Sequence, residues 1–325
     1  MTGEGGQSYA ASRPVILFVL GMGRSGTSAL TRVLSLCGVT LPTGMMGADG
    51  HNPRGYWEPR TAVLLNETIL RRHRSNWFDP TLRLEEEGAW DAAEKAACIA
   101  DVRAYLEKLP PAPILLVKDM RMTVMTDVWF EAARLAGFDV GTLIAVRNPQ
   151  EVIPSCAKYV RISPELSSAL WLKYNLLAEK HTRRVPRVFV EYSNLLKDWR
   201  QEVNRVSKAL NIDLSNQDVS AIDEFLTPDL QNNRDCGPIR ERFGTKWMSA
   251  VYDELHAAAR DEPWDAAELD AVLEAYRAME HDFRTAQEEF RTITNSLARW
   301  VLRPSISKPI HAVVALAHRR KGPWA

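Results

Sequence analysis

The sequence predicts an α/β fold in three layers: a mostly parallel central sheet with helices on both faces. Two observations carry this reading. Short apolar, β-branched runs alternate along the chain with longer stretches of helical periodicity, the pattern of parallel strands joined by crossover helices. The first of these runs also passes through a glycine-rich turn straight into an amphipathic segment, making a strand–loop–helix unit.

Four runs read as strands: Val15 to Leu20 (VILFVL), Ile114 to Val117 (ILLV), Gly141 to Val146 (GTLIAV) and Arg187 to Val190 (RVFV). Each ends in polar or Gly/Pro-containing turns. After the first, Thr27 to Cys37 sets Leu30, Val33, Leu34 and Cys37 at the i, i+3, i+4, i+7 spacing of an amphipathic helix, which Gly38 ends. Pro42 to Pro59 is rich in Gly, Pro, Asn and Asp and too long for a passive connector, so it reads as a functional loop. From about Asp261 to Phe290 the composition is strongly helical, with Glu and Arg on a solvated face. A composition shift near Asn295 divides the chain into a flexible tail (1–13), one domain (14–295) and a C-terminal extension (296–325).

With 325 residues, 46% of them hydrophobic, the chain can bury one large core without disulfides or metals. Its 41 Lys and Arg balance 41 Asp and Glu, which argues against the broad basic field of a nucleic-acid binder. Four scattered cysteines (Cys37, Cys98, Cys156, Cys236) make no CxxC pair and no metal-ligand spacing with the seven histidines, so reduced thiols, a cytoplasmic location and no metal site are expected. Val15 to Leu20 and Ala312 to Ala317 are too short to span a bilayer. The tail around Trp300 and Trp324, with its basic cluster at His318 to Lys321, is a candidate for peripheral membrane contact.

The segment VLGMGRSGTSAL, Val19 to Leu30, aims backbone N–H groups and a positive helix end at an anion. Against GxxxxGK[ST], Gly21, Gly26 and Ser28 fall in place, but Thr27 stands where the lysine belongs. A nucleoside triphosphate enzyme uses that lysine, with magnesium, to neutralise phosphates. Here the cation is Arg24, placed earlier, which suits a less charged donor handled without metal. A second anion site follows the third strand, where Arg147 ends the strand and Ser155 lies eight residues on.

RSGTS after an apolar strand resembles the 5′-phosphosulfate loop of sulfotransferases that use 3′-phosphoadenosine 5′-phosphosulfate (PAPS), particularly bacterial and carbohydrate-type members. The resemblance covers roughly residues 14 to 235 and implies a P-loop-like sulfotransferase architecture. It implies that Arg24, Ser25, Gly26, Thr27 and Ser28 hold the 5′-phosphosulfate, that Arg147 and Ser155 hold the 3′-phosphate, and that PAP is the product. Tyr192, after the fourth strand, is similar to the family's aromatic residue near the adenine; core packing is its other reading.

Sulfuryl transfer to a hydroxyl needs a base near Arg24. The long loop supplies His51 and Glu58, with Tyr56 and Trp57 as stacking surface for a sugar. By resemblance Glu58 is the first choice and His51 the second; capping of a helix starting near Pro59 is the alternative role for Glu58. Lys118, Asp119 and Arg121 sit at the carboxyl end of the second strand, where open sheets place ligand groups. Lys118 could support the sulfuryl oxygens, and Asp119 is either a third base candidate or the ion-pair partner of Arg121. Arg71 to Arg74 form a basic cluster read as a solvated helix face or an attractor of anionic acceptors. The acceptor expected is a hydroxyl-bearing small molecule or glycolipid, with a carbohydrate hydroxyl suggested by resemblance. The rival readings are a P-loop small-molecule kinase and a nucleotide-binding protein of the same fold without turnover.

Overall fold

The computed structural model describes residues 13–50, 52–227 and 237–295, together with Pro309 and Val313. All four expected strands form: β1 (Val15–Leu20), β2 (Ile114–Lys118), β3 (Asp139–Val146) and β4 (Arg187–Glu191). Between and after them run helices α1 (Thr27–Leu36), α2 (Arg60–Arg72), α3 (Ala92–Leu106), α4 (Thr126–Leu135), α5 (Pro149–Tyr159) and α6 (Pro164–Thr182), then α7 (Tyr192–Lys197), α8 (Trp199–Leu210), α9 (Val219–Phe225), α10 (Trp247–Ala258) and α11 (Ala266–Asn295).

The strands are parallel, in the order β2-β1-β3-β4, with Val19 of β1 in register with Lys118 on one side and Leu143 on the other. Both faces of this sheet are covered, which is why the strands read as continuous apolar runs. Alternate side chains (Leu17, Val19, Leu116, Leu143, Val188, Val190) pack on Leu30, Val33 and Leu34 of α1 and on Val203 and Val206 of α8. On the opposite face Phe18 meets Trp129 and Phe130 of α4, with ring centroids 5.9 and 5.7 Å away.

The strand order decides where a ligand can go. The connection from β1 leads to β2 on one side, and that from β3 leads to β4 on the other, so a crevice opens between the carboxyl ends of β1 and β3. The glycine-rich loop follows β1, and Arg147 follows β3.

The expected late helix is α11, displaced five residues toward the C-terminus at its start. Asp261, at φ 57°, and Pro263 interrupt the helical pattern, and Asp265 accepts from the Ala267 N–H at 2.8 Å as the helix begins. Two compact units divide the chain. The first, Met1–Leu273, holds the sheet and every site residue below. In the second, Glu274–Ala325, the described chain is helical to Asn295, with Phe283 and Phe290 exposed. The expected N-terminal tail and C-terminal extension, with its candidate membrane contact, lie outside the described residues except for Arg13, Pro309 and Val313. Among the described residues no helix is long and apolar enough to cross a membrane.

Candidate functional site

The loop from Gly21 to Gly26 owes its shape to two glycines in left-handed backbone. Gly21 has φ 114°, and a Cβ there would stand 2.8 Å from the Ala145 carbonyl of β3. Gly26, at φ 87°, is the N-cap of α1, and a Cβ there would lie 2.2 Å from the ring of Tyr192. This glycine therefore lets an aromatic ring from the end of β4 close on the start of α1. No side chain caps α1, leaving its N-terminal amides aimed at the crevice. Beside them the Ser25 hydroxyl is buried without a hydrogen-bond partner. Such an atom costs free energy unless a ligand or water meets it.

The two arginine motifs converge on this loop. Arg24 Nε donates to Ser155 Oγ of α5 at 3.0 Å, and its guanidinium lies 4.7 Å from the Tyr159 ring centroid. Arg147 Nη1 donates to the Arg24 carbonyl at 2.9 Å, its Nε pairs with Glu151 at 2.8 Å, and its guanidinium stacks on Tyr192 at 4.4 Å. Burial, with the like charge of Arg147, holds the Arg24 pKa below the ordinary guanidinium value. That marks a place where an entering anion is favoured. Burial also pushes the Cys156 thiol up to about 11, which keeps this lining residue a neutral thiol.

Beside the cradle stands an ion pair. Lys118, at the end of β2, reaches Glu58 Oε1 at 2.5 Å, the Tyr56 carbonyl at 3.2 Å and Ser28 Oγ at 3.5 Å. The lysine missing at position 27 is thus supplied in space by a different strand, next to the same loop hydroxyl. Glu58 and Lys118 are both buried, at 7% and 4% exposure, and Arg121 Nη1 stands 4.0 Å from the other Glu58 oxygen. The Glu58 carboxylate turns to Lys118, while α2 follows its N-cap Pro59 with no side-chain cap. The residue between, Trp57, is left-handed at φ 55°, which turns the Tyr56 carbonyl and the Glu58 carboxylate toward one ammonium. The Trp57 indole N–H donates to the Arg54 carbonyl at 2.9 Å and Arg32 covers its ring at 4.7 Å.

Asp119 lies elsewhere. It is fully buried, and its oxygens accept from Asn66 Nδ2 at 2.8 Å and from Arg121 at 2.9 Å. This is the ion pair the sequence offered as the alternative to a base. Asp119, with Glu58 and Glu67, outweighs the burial that opposes the Arg121 charge and raises the Arg121 pKa. His51 lies outside the described residues. Arg71 and Arg72 are exposed at the last turn of α2.

A cavity of about 720 Å³ joins these groups, lined by Arg24, Thr27, Ser28, Glu58, Lys118, Arg147 and Tyr192 among others. Its other walls were not found by motif: Met46, Trp77, Phe78, Met120, Tyr159 and Val160. Only the aromatic pair Trp77–Phe78, inside an otherwise polar loop, offered a signal. No group of three His, Cys, Asp or Glu suited to hold a metal ion occurs among the described residues.

Fold and site together define an α/β protein with a glycine-rich loop and two arginines at the switch point of its sheet and a buried lysine–glutamate pair beside them. No protein-family model and no curated protein matches the chain. Among solved structures it is similar to the sulfotransferase domain of the Synechococcus PCC 7002 olefin synthase, at 20% identity and TM-score 0.40 over 81% of this chain and 95% of that one. It is also similar to the sulfotransferase STF1 from Mycobacterium tuberculosis H37Rv, at 13% identity and TM-score 0.34 over 66% and 72%. A third is retinol dehydratase in complex with androsterone and the inactive cofactor PAP, at 17% identity and TM-score 0.35 over 68% and 66%.

Proposed function

We propose that this chain is an O-sulfotransferase that uses PAPS as donor and leaves PAP. The observation that supports it most is the meeting of two motifs 131 residues apart, Arg24 and Ser155, with Arg147 bonded to the same arginine. One phosphate cluster would explain one cradle; PAPS carries two, and the site offers two arginines on adjoining strand ends. The residues fit such a ligand by their own chemistry. The buried Ser25 hydroxyl needs a partner, and the α1 amides are uncapped.

When bound, the donor supplies an activated sulfuryl group. The chain's own residues do the rest. Arg24 and the amides of Ser25 to Ser28 neutralise charge gathering on the 5′-phosphate side. Arg147 and Ser155 select the 3′-phosphate by charge-assisted hydrogen bonds. Glu58 takes the acceptor's proton, and Lys118, poised between Glu58 and Ser28, neutralises charge on the group in flight. Asp119 holds Arg121 and is structural.

Thermal unfolding with PAP, ADP and magnesium ATP tests the reading, since a ligand of the native state raises Tm. PAP should stabilise and ADP, lacking the 3′-phosphate, should do so far less, a difference abolished by Arg147→Ala. Stabilisation by magnesium ATP but not PAP would replace this reading with a P-loop kinase.

A further inference from the structure

The cavity's remaining walls say what acceptor it takes. Away from the cradle and the Lys118–Glu58 pair, Met46, Trp77, Phe78, Met120 and Val160 present no charged group to the cavity. Three of the polar residues interspersed with them have their heads bound to the protein. The Tyr56 hydroxyl donates to Asp49 at 3.0 Å, Arg54 donates to the Phe225 carbonyl and to Thr227, and Arg121 is spent on Asp119 at 2.9 Å and Glu67 at 2.8 Å. A sugar entering this space would strip water from several hydroxyls and find few partners, each a cost. Of the stacking surface expected for a sugar, Trp57 is engaged elsewhere, since Arg32 covers its ring and its indole N–H is bonded to the Arg54 carbonyl.

The apolar wall is built in advance. The Trp77 carbonyl accepts from the buried Tyr174 hydroxyl at 3.1 Å, the Asp79 carbonyl from the buried Lys173 ammonium at 2.8 Å, and Ser75 Oγ bonds the Asp79 carboxylate at 2.7 Å. These ties fix the loop so that binding does not bear the cost of ordering it. Met46 and Met120 supply adaptable thioether surface, suited to a hydrocarbon body of variable outline.

We infer that the acceptor is a hydrophobic alcohol, one hydroxyl on an otherwise apolar hydrocarbon body, rather than a carbohydrate. This rests on the sulfotransferase reading for its chemistry. The acceptor oxygen bonds to sulfur as the bond from sulfur to the bridging oxygen of the donor breaks. The electron pair of that bond stays on the departing 5′-phosphate, and the hydroxyl proton passes to Glu58. The hydrocarbon body lies against Trp77 and Phe78.

The test is calorimetric binding of primary alcohols from butanol to decanol, and of glucose and N-acetylglucosamine, with and without PAP, followed by initial rates with PAPS. Each added methylene should tighten Kd about fourfold until the wall is filled, the value of one buried CH2, and both sugars should bind more weakly than octanol. Trp77→Ala should weaken octanol about tenfold, an aromatic wall's share, with PAP affinity unchanged; Phe78→Leu serves if that variant does not fold. A flat dependence on chain length, or a sugar bound or turned over in preference to octanol, would overturn the inference. Failure of PAP to bind would sink the donor reading alone, because chain-length dependence in the free protein still decides the apolar site.

Discussion

Replacing Lys118 by Met removes the ammonium that sits 2.5 Å from Glu58 and leaves a carboxylate that is only 7% exposed. Breaking one half of a buried pair costs about 3–5 kcal/mol, because the surviving charge keeps its desolvation penalty and loses its compensation. Arg121, 4.0 Å from the second Glu58 oxygen, retains one cation nearby, which sets the expectation at the lower end, about 3 kcal/mol. For a chain of this size that is a fall in Tm of roughly 4 °C. The double variant Lys118→Met with Glu58→Leu replaces the pair by apolar groups of similar volume and should return to within about 1 kcal/mol of the parent. Urea unfolding of parent, singles and double closes the cycle, with an expected coupling of about 2 kcal/mol or more. Equal stability of the single and the double variant would refute the reasoning, showing that Lys118 does not hold Glu58.

Ser155→Ala deletes the hydroxyl that Arg24 Nε meets at 3.0 Å. PAP affinity should fall about tenfold, as for a hydrogen bond to a charged group, with Tm nearly unchanged; titration calorimetry reads the first and thermal unfolding the second. Gly26→Ala forces a left-handed alanine and a Cβ 2.2 Å from Tyr192; it should cost about 2–4 kcal/mol, partly recovered by adding Tyr192→Ala, as denaturant midpoints would show. His181 and Glu85 form a pair 3.0 Å apart. Burial opposes both charges, but their mutual hydrogen bond prevails, raising His181 above 6.5 and lowering Glu85 below 4.5. The histidine's share is present below 6.5 and lost as pH rises through its raised value; the glutamate's share is present above 4.5 and lost as pH falls through its lowered value. The Tm deficit of Glu85→Gln should therefore be largest between 4.5 and 6.5 and shrink on the alkaline side.

The strands were legible because a parallel sheet covered on both faces leaves no polar alternation to confuse with a loop; Ile114, Gly141 and Arg187 all fall in strands that extend the expected bounds by only one or two residues. That Arg24, Arg147, Ser155, Glu58 and Lys118 gather at one end of the sheet was legible because strand ends and glycine loops are where such folds keep ligand groups. Their pairing was not. That Glu58 faces Lys118, or that Asp119 turns inward to Asn66 while its neighbour turns to the crevice, depends on a left-handed Trp57 and on a buried asparagine 53 residues away. Trp77 and Phe78 escaped for a related reason. Their position against the cavity is fixed by Tyr174 and Lys173 of α6, about a hundred residues later, and no local pattern carries that information.

The distances along the chain between the cradle's partners also govern when it can exist. Arg24 meets Arg147 across 123 residues and Ser155 across 131, and Lys118 meets Glu58 across 60. No fragment ending before α5 contains a complete cradle, and such long closures come late in folding. On refolding, anion binding should recover together with the docking of β3 against β1, never ahead of it. Ligand capture thus reports arrival at the native state, and a chain still emerging during synthesis has no cradle to fill until β3 and α5 are out.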